Sequence, residues 1–233
     1  MNITIYLGAN YGTDPALQQA VRELGQWLGQ SGHTLVYGGS DSGLMGVLAR
    51  SAMAAGAPAI GVEPQFFIDE GYALDGLTQL IVTQDMTERK AKMIELGDAF
   101  IAFPGGTGTL EEITEVMSKV SLKHLAAPCI LYNLNGYYDH LKALLGHMIE
   151  LCINRRDFAI CTEKTCHSIG DFPPPRRPPF HQKALPAIPP TELGDTNLLL
   201  RVLEYCTAVT FFPKAQCAAT ACGFQHPSRG TFR

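Results

Sequence analysis

Phe100-Ile101-Ala102-Phe103-Pro104-Gly105-Gly106-Thr107-Gly108-Thr109-Leu110-Glu111-Glu112 reads as a hydrophobic strand, a turn with three glycines and the opening of an acidic helix. A buried strand that runs through glycines into a helix start presents unpaired backbone N–H groups to an anion. Glycine also lets the backbone approach a phosphate without a Cβ in the way. A carboxylate, Glu112, follows early in the helix, beside the place a phosphate would occupy. That combination points to chemistry on a nucleotide or sugar phosphate and not only to its recognition.

Working outward, the first 150 residues alternate between strand and helix patterns. Ile3–Leu7 has a strand pattern. Ala16–Gln30 has helical spacing in Leu17, Val21, Leu24 and Leu28, with Asp14 as N-cap and Pro15 at the first helical position. Strand patterns cover His33–Tyr37, Ala57–Val62, Gly76–Val82, Ala99–Phe103 and Pro128–Tyr132. Helix patterns cover Leu44–Ala55, Thr87–Gly97, Leu110–His124 and Tyr137–Glu150. Near-continuous apolar strands alternating with helices predict an α/β fold, a doubly wound parallel sheet covered by helices on both faces. Ligands of such sheets bind beyond the carboxyl ends of the strands. The glycine turns after Leu7, Tyr37 and Phe103 all fall there and should converge on one crevice.

Composition supports a globular core and excludes some classes of function. The 233 residues are 46% hydrophobic and 17% charged, with a formal net charge of -4. That charge argues against a general binder of nucleic acid or of anionic membranes. No 18-residue apolar run predicts a membrane span. The N-terminus lacks a basic n-region and reads as a first strand, so the expected compartment is the cytoplasm. Seven cysteines, six of them after residue 150, do not make a secreted disulfide framework.

The composition breaks near Glu150. Residues 1–150 carry 8 Lys+Arg against 16 Asp+Glu, whereas 151–233 carry 10 against 6. Ten of the fifteen prolines fall in the second part, which disfavours helix and sheet there. Residues 1–150 are therefore read as the folded α/β domain. Residues 151–233 are read as a weakly ordered extension, with one short amphipathic helix at Asn197–Cys206.

Each further motif has a bland reading beside its functional one. Gly38-Gly39-Ser40-Asp41-Ser42-Gly43-Leu44-Met45-Gly46 has the texture of a nucleotide loop, but also of a tight strand–helix turn. Gly8-Ala9-Asn10-Tyr11-Gly12 is again a turn, given weight by bordering the same crevice. Thr109-x-x-Glu112 fits a capping box, which would still leave Glu112 near a bound phosphate. Glu111 would point about 100° away around the helix. In Met86-Thr87-Glu88-Arg89-Lys90 two cations oppose the dipole of a helix start, which favours an anion site over a solvated cluster paired with Asp85 and Glu88. The arginine fork suits a phosphate or a carboxylate partner. The seven histidines make no triad or metal spacing. Cys161, Cys166, His167, Cys217 and Cys222 resemble metal knuckles only loosely, so no metal is expected.

These motifs together resemble the Lonely Guy (LOG) proteins. Pro104 to Glu112 matches that family's PGGxGTxxE signature, and Met86 to Lys90 matches its M-x-E-R-K segment. Tyr37-Gly38-Gly39 with Gly43-Leu44-Met45-Gly46 matches its YGGG-x-x-GLMG loop, and Asn133 to Tyr138 resembles its N-x-x-GYY stretch. The resemblance covers residues 2 to about 150 in order. It implies a Rossmann-like homodimer or larger oligomer acting without metal or other cofactor. The implied activity is hydrolysis of the N-glycosidic bond of N6-modified adenosine 5′-monophosphates, giving free base and ribose 5-phosphate. The family is often mislabelled lysine decarboxylase.

By carry-over, the resemblance implies Arg89 and Glu112 as the catalytic pair. It implies that the nucleotide is held by Gly8, Gly39, Ser40, Gly43, Met45, Met86, Lys90, Gly105, Gly106, Thr107, Gly108, Thr109, Leu110, Glu111 and Ser118. Glu70 is the candidate for an acidic ligand contact after the third strand. Ser40 departs from the family's third glycine, and Ser118-Lys119 replaces its Thr-Trp. The chain after Glu150 has nothing like the family's Gly-Phe and strand–helix ending, and reads as a shifted reading frame or a fused end. The alternatives are a general AMP or purine-monophosphate nucleosidase, and a non-catalytic nucleotide-binding module.

Overall fold

The computed structural model describes residues 1–151. Six strands form one parallel sheet: β1 (Asn2–Tyr6), β2 (Thr34–Tyr37), β3 (Ala59–Pro64), β4 (Gln79–Thr83), β5 (Ala99–Ala102) and β6 (Cys129–Leu131). They lie in the order β4-β3-β2-β1-β5-β6, every neighbouring pair parallel. The chain thus builds one half of the sheet outward from β1, then returns to β1's other edge with β5. Thr4 stands opposite Val36 on one side and Phe100 on the other. This reversal between β1 and β5 is the topological switch point, where a crevice opens between diverging loops.

Alternation along the strands divides the core in two. Ile3, Ile5, Leu35, Tyr37, Ile101 and Phe103 face α1 (Pro15–Gln30) and α2 (Gly43–Ala54). Tyr6, Val36, Val62, Phe100 and Ala102 face α4 (Met86–Leu96), α5 (Thr107–Ser121) and α6 (Asp139–Glu150). The strands are apolar on both faces because both are covered. The expected doubly wound α/β sheet is the one observed.

Local signals explain most element ends. Asp14 caps α1 by accepting from the Ala16 N–H at 2.9 Å, and Pro15 is its first residue. The Asp14 carboxylate also accepts from Asn135 Nδ2 at 3.2 Å, tying α1 to the 3-10 turn Leu134–Gly136. Asp85 caps α4 by accepting from the Glu88 N–H at 2.8 Å, while Glu88 reaches back to the Gln84 N–H.

Three differences from the sequence reading matter. β4 begins at Gln79, because Gly76 takes a left-handed φ of +77° that breaks the strand. A short helix, α3 (Gln65–Asp69), follows β3 unannounced. It is a single turn without a buried residue, too short to leave a periodic signal. Helix α5 begins at Thr107, three residues before the expected Leu110. The helical reading at Asn197–Cys206 and the loose cysteine knuckles lie outside the described residues. Among the described residues no helix is long and apolar enough to cross a membrane.

The cap and the core should differ in weight. Leu24→Ala empties a fully buried position between α1 and the sheet and should cost about 2–5 kcal/mol. Asp14→Ala removes a cap and should cost about 1 kcal/mol. Urea unfolding of the full chain measures both, and equal losses would contradict this division.

Candidate active site

The loops after β1 and β5 meet at the switch point. Gly105 stands so close to Gly8 that a Cβ on it would lie 2.9 Å from the Gly8 N–H nitrogen and would collide with the Thr109 hydroxyl. Only glycine fits there, which is the packing reason for the turn. Gly43 has the same role on the β2 side, where a Cβ would collide with the Ala9 carbonyl. These approaches draw three loops around a crevice of about 490 Å³.

Several helix starts at this end of the sheet are bare. Ser42 ahead of α2 and Gly106 ahead of α5 make no side-chain cap, in contrast to Asp14 and Asp85. The capping-box reading of Thr109 and Glu112 is corrected by the position of the cap. With Gly106 as N-cap, Thr109 is the third helical residue and Glu112 the sixth. Glu112 lies beyond reach of the cap, and its carboxylate is used elsewhere. The first turn of α5 therefore leaves backbone N–H groups open to an anion.

That carboxylate pairs with Arg89. Arg89 Nη1 donates to Glu112 Oε1 at 2.7 Å, and both residues are buried. Arg89 Nε donates to the Val62 carbonyl at 3.0 Å, which anchors the guanidinium to the end of β3. Nη2 lies over Gly38, where any Cβ would strike it. The first glycine of the Tyr37-Gly38-Gly39 turn thus makes room for an arginine. Arg89 and Lys90 are the fourth and fifth residues of α4, not its first turn, and Asp85 and Glu88 are occupied with capping. Lys90 instead donates to Glu111 at 2.5 Å and lies 3.6 Å from Glu115.

Burial raises the Glu112 carboxyl above its ordinary range, and the Arg89 charge and hydrogen bond oppose that shift. The resulting group is a carboxylate in a dry setting, able to exchange a proton with bound water.

The structure brings Gly8, Met45, Met86, Arg89, Gly105, Gly106, Thr107, Gly108, Thr109 and Glu112 to the crevice. Gly39, Ser40 and Gly43 shape the loop behind it: the Ser40 hydroxyl accepts from the Ser42 N–H, and Gly39 lies over Glu63. Leu110, Glu111 and Ser118 lie on a separate shallow depression between α5 and α6, with Ser118 donating to the Thr114 carbonyl at 2.9 Å. Glu70 is exposed at the end of α3.

The sequence reading passed over Phe67 on the crevice wall and named Asn10 and Tyr137 there only as parts of longer motifs. Tyr137 donates to the Gly105 carbonyl at 2.5 Å and so steadies the glycine turn. It also passed over Glu63, fully buried at the end of β3. The visible signal for Glu63 was a carboxylate inside the apolar run Ala59–Pro64.

The doubly wound sheet thus sets an open helix start and a buried Arg–Glu pair in one crevice. Residues 45–161 match the family model described as possible lysine decarboxylase, and the chain belongs to that family, the LOG proteins. It is 44% identical over 148 residues to a cytokinin riboside 5′-monophosphate phosphoribohydrolase of Rhodococcoides fascians, covering 63% of this chain and 74% of that one. It is 34% identical to the enzyme of that name, LOG7, from Arabidopsis thaliana, covering 64% and 68%. A rice relative from Oryza sativa subsp. japonica, LOG4, is 36% identical, and the match spans 64% of its length, just under two thirds. In fold the chain is similar to the molybdenum cofactor binding protein of Rippkaea orientalis, with TM-score 0.51 and 24% identity over 65% of this chain and 94% of that one.

Two outcomes follow from the geometry. Glu112→Ala leaves the Arg89 charge buried without its partner and should destabilise the full chain by about 3–5 kcal/mol in urea unfolding. A loss near zero would mean that the pair is wet. Burial raises the Glu63 carboxyl from 4.5 to about 7, against the pull of Arg89. Between these values the folded state holds more protons than the unfolded one, so stability contributed by this group falls as pH rises through the window. Glu63→Gln should remove that decline, and an unchanged pH profile would contradict it.

Proposed function

We propose that this protein hydrolyses the N-glycosidic bond of N6-modified adenosine 5′-monophosphates, releasing the free base and ribose 5-phosphate. The observation that carries the reading is the buried Arg89–Glu112 pair set beside the uncapped start of α5. The names of the relatives support the substrate class.

The phosphate is held by the backbone N–H groups of the Gly106–Thr109 turn, which anchors the nucleotide away from the reacting bond. Breaking the C1′–N9 bond develops positive charge on the ribose. Glu112 stabilises that charge and takes a proton from the attacking water. The water oxygen bonds to C1′, the C1′–N9 electron pair leaves with the base, the base takes a proton from solvent as it departs, and Glu112 returns its own proton to solvent. Arg89 orients the Glu112 carboxylate through its Nη1 hydrogen bond. Met45, Phe67 and Met86 supply an apolar wall suited to a base. How much room that wall leaves for an N6 group separates cytokinin activation from general purine-monophosphate cleavage.

We infer that residues 1–150 are the catalytic unit and 151–233 an extension to it. A homodimer or larger assembly is supported by the depression between α5 and α6, where Leu110 and Leu144 are exposed. The inferred compartment is the cytoplasm, since a charged nucleotide does not cross a bilayer unaided.

Chromatography of the full-length protein incubated with AMP and with N6-isopentenyl-AMP tests the reading. Wild type should release free base and Glu112→Gln should lose at least about a hundredfold in rate. The ratio between the two substrates chooses the specificity. Absence of base from folded wild-type protein would leave a nucleotide-binding module.

A further inference from the structure

One buried ionisable group has no part in the reaction drawn above. Glu63 is 1% exposed at the carboxyl end of β3. Its Oε2 has no hydrogen-bond partner, and neither has the hydroxyl of the buried Tyr37 on β2. Tyr37 stands opposite Gly61, so Glu63 lies two residues further along the same face. Gly39 closes over it: a Cβ there would lie 2.9 Å from Glu63 Cβ and 3.1 Å from Oε2. The neighbouring Gly38 covers Arg89 Nη2 in the same manner. One Gly-Gly pair therefore roofs both a guanidinium and an orphan carboxylate.

A fold does not keep an unpartnered buried carboxylate without compensation. The cation whose field reaches Glu63 is Arg89. Arg89 already donates to Glu112 and to the carbonyl of Val62, the residue before Glu63. Two buried carboxylates thus lean on one guanidinium. A phosphomonoester bound at the start of α5 would bring a third anion into the crevice that Arg89 also lines. Of the two carboxylates, Glu112 has a hydrogen bond that favours its charged form, and Glu63 has none.

We propose that Glu63 is a proton-accepting positioning residue, which takes up a proton when a nucleoside monophosphate binds and so leaves the Arg89 charge to Glu112 and the ligand. The inference rests on the reading of the crevice as a nucleotide site, but not on hydrolysis. Burial already lifts the Glu63 carboxyl to about 7. Near neutral pH it stands between its two states, and a modest change of field moves the proton. The other groups facing this region are Tyr37 from β2, the Arg50–Asp41 ion pair from α2 and its loop, Arg89 from α4 and Glu112 from α5. β4 carries no ionisable residue, and Asp69 of α3 is exposed and accepts from Gln65. Among the described residues, Glu63 is the one buried carboxylate with an enclosed oxygen that has no hydrogen-bond partner. A purely structural Glu63 would hold one charge state whether or not ligand is present.

Carboxyl carbon NMR of the labelled full-length chain tests this with AMP as the probe, and phosphorus NMR of the same sample reports whether AMP is bound. The Glu63 signal, assigned by its loss in Glu63→Gln, should titrate near neutrality alone and at higher pH with AMP bound. An upward shift of one unit corresponds to a tenfold weakening of AMP binding on passing from the protonated to the ionised form. The AMP dissociation constant of wild type should accordingly rise several-fold between pH 6.5 and 8, and that of Glu63→Gln should rise less. A midpoint in the ordinary carboxylate range, or one unmoved by bound AMP, overturns the proposal, as does failure of AMP to bind. If the Gln variant does not fold, calorimetric proton uptake by wild type in buffers of differing ionisation enthalpy decides in its place: no uptake overturns the proposal. Bound AMP with proton uptake but no base released removes the hydrolase reading and leaves this one standing.

Discussion

Arg89 is fixed at the point where the sheet, two helices and a glycine turn come together. Its Nε is tied to a β3 carbonyl, its Nη1 to the Glu112 carboxylate on α5, and its Nη2 lies against the backbone of the turn after β2. A cation in a low-dielectric setting cannot be left without compensation. The positions of α4, α5 and the Gly38-Gly39 turn are consequently interdependent. The same constraint that makes the pair costly to break makes its geometry rigid, and rigidity is what a site that stabilises developing charge requires.

The electrostatics around that point are graded and not uniform. Glu112 is buried and hydrogen-bonded, Glu63 is buried without a partner, and Glu111 is exposed and paired with Lys90. Burial lifts the carboxyls of Glu112 and Glu63, the first against a hydrogen bond from Arg89 and the second without one. Backbone dipoles sort in a parallel way. α1 and α4 satisfy first-turn N–H groups with an aspartate, whereas α5 keeps its own without a side-chain cap.

The sheet was legible because its central strands are covered on both faces and largely apolar, as in Ala99–Ala102, and because Asp14-Pro15 and Asp85 mark helix starts chemically. The short α3 carried no periodic signal, and the early start of α5 was hidden because glycines and threonines read as loop. In the site, Arg89 and Glu112 stood out from charge pattern and family signature, 23 residues apart in sequence yet in direct contact. What a linear reading could not supply was the third dimension of the glycine turns. Gly39, Ser40 and Gly43 read like ligand loops, but Gly43 fits against Ala9 and Gly39 against Glu63. Glu63 was visible as a letter in β3 and invisible as a buried orphan, because burial belongs to the packed sheet and not to its sequence.

The pairing of β1 with β5 also governs the order in which the protein can come into being. Asn2 accepts its place only once Asp98 and the Leu96 carbonyl are present to bond it, at 2.8 and 3.1 Å. A chain made from its N-terminus must carry β1, with Ile3 and Ile5, half-covered until nearly a hundred residues have followed. Gly8 waits for Gly105 over the same span. The crevice is therefore among the last features of this sheet to assemble during synthesis, and a nascent chain shorter than about β5 has the α1–α2 layer but no site.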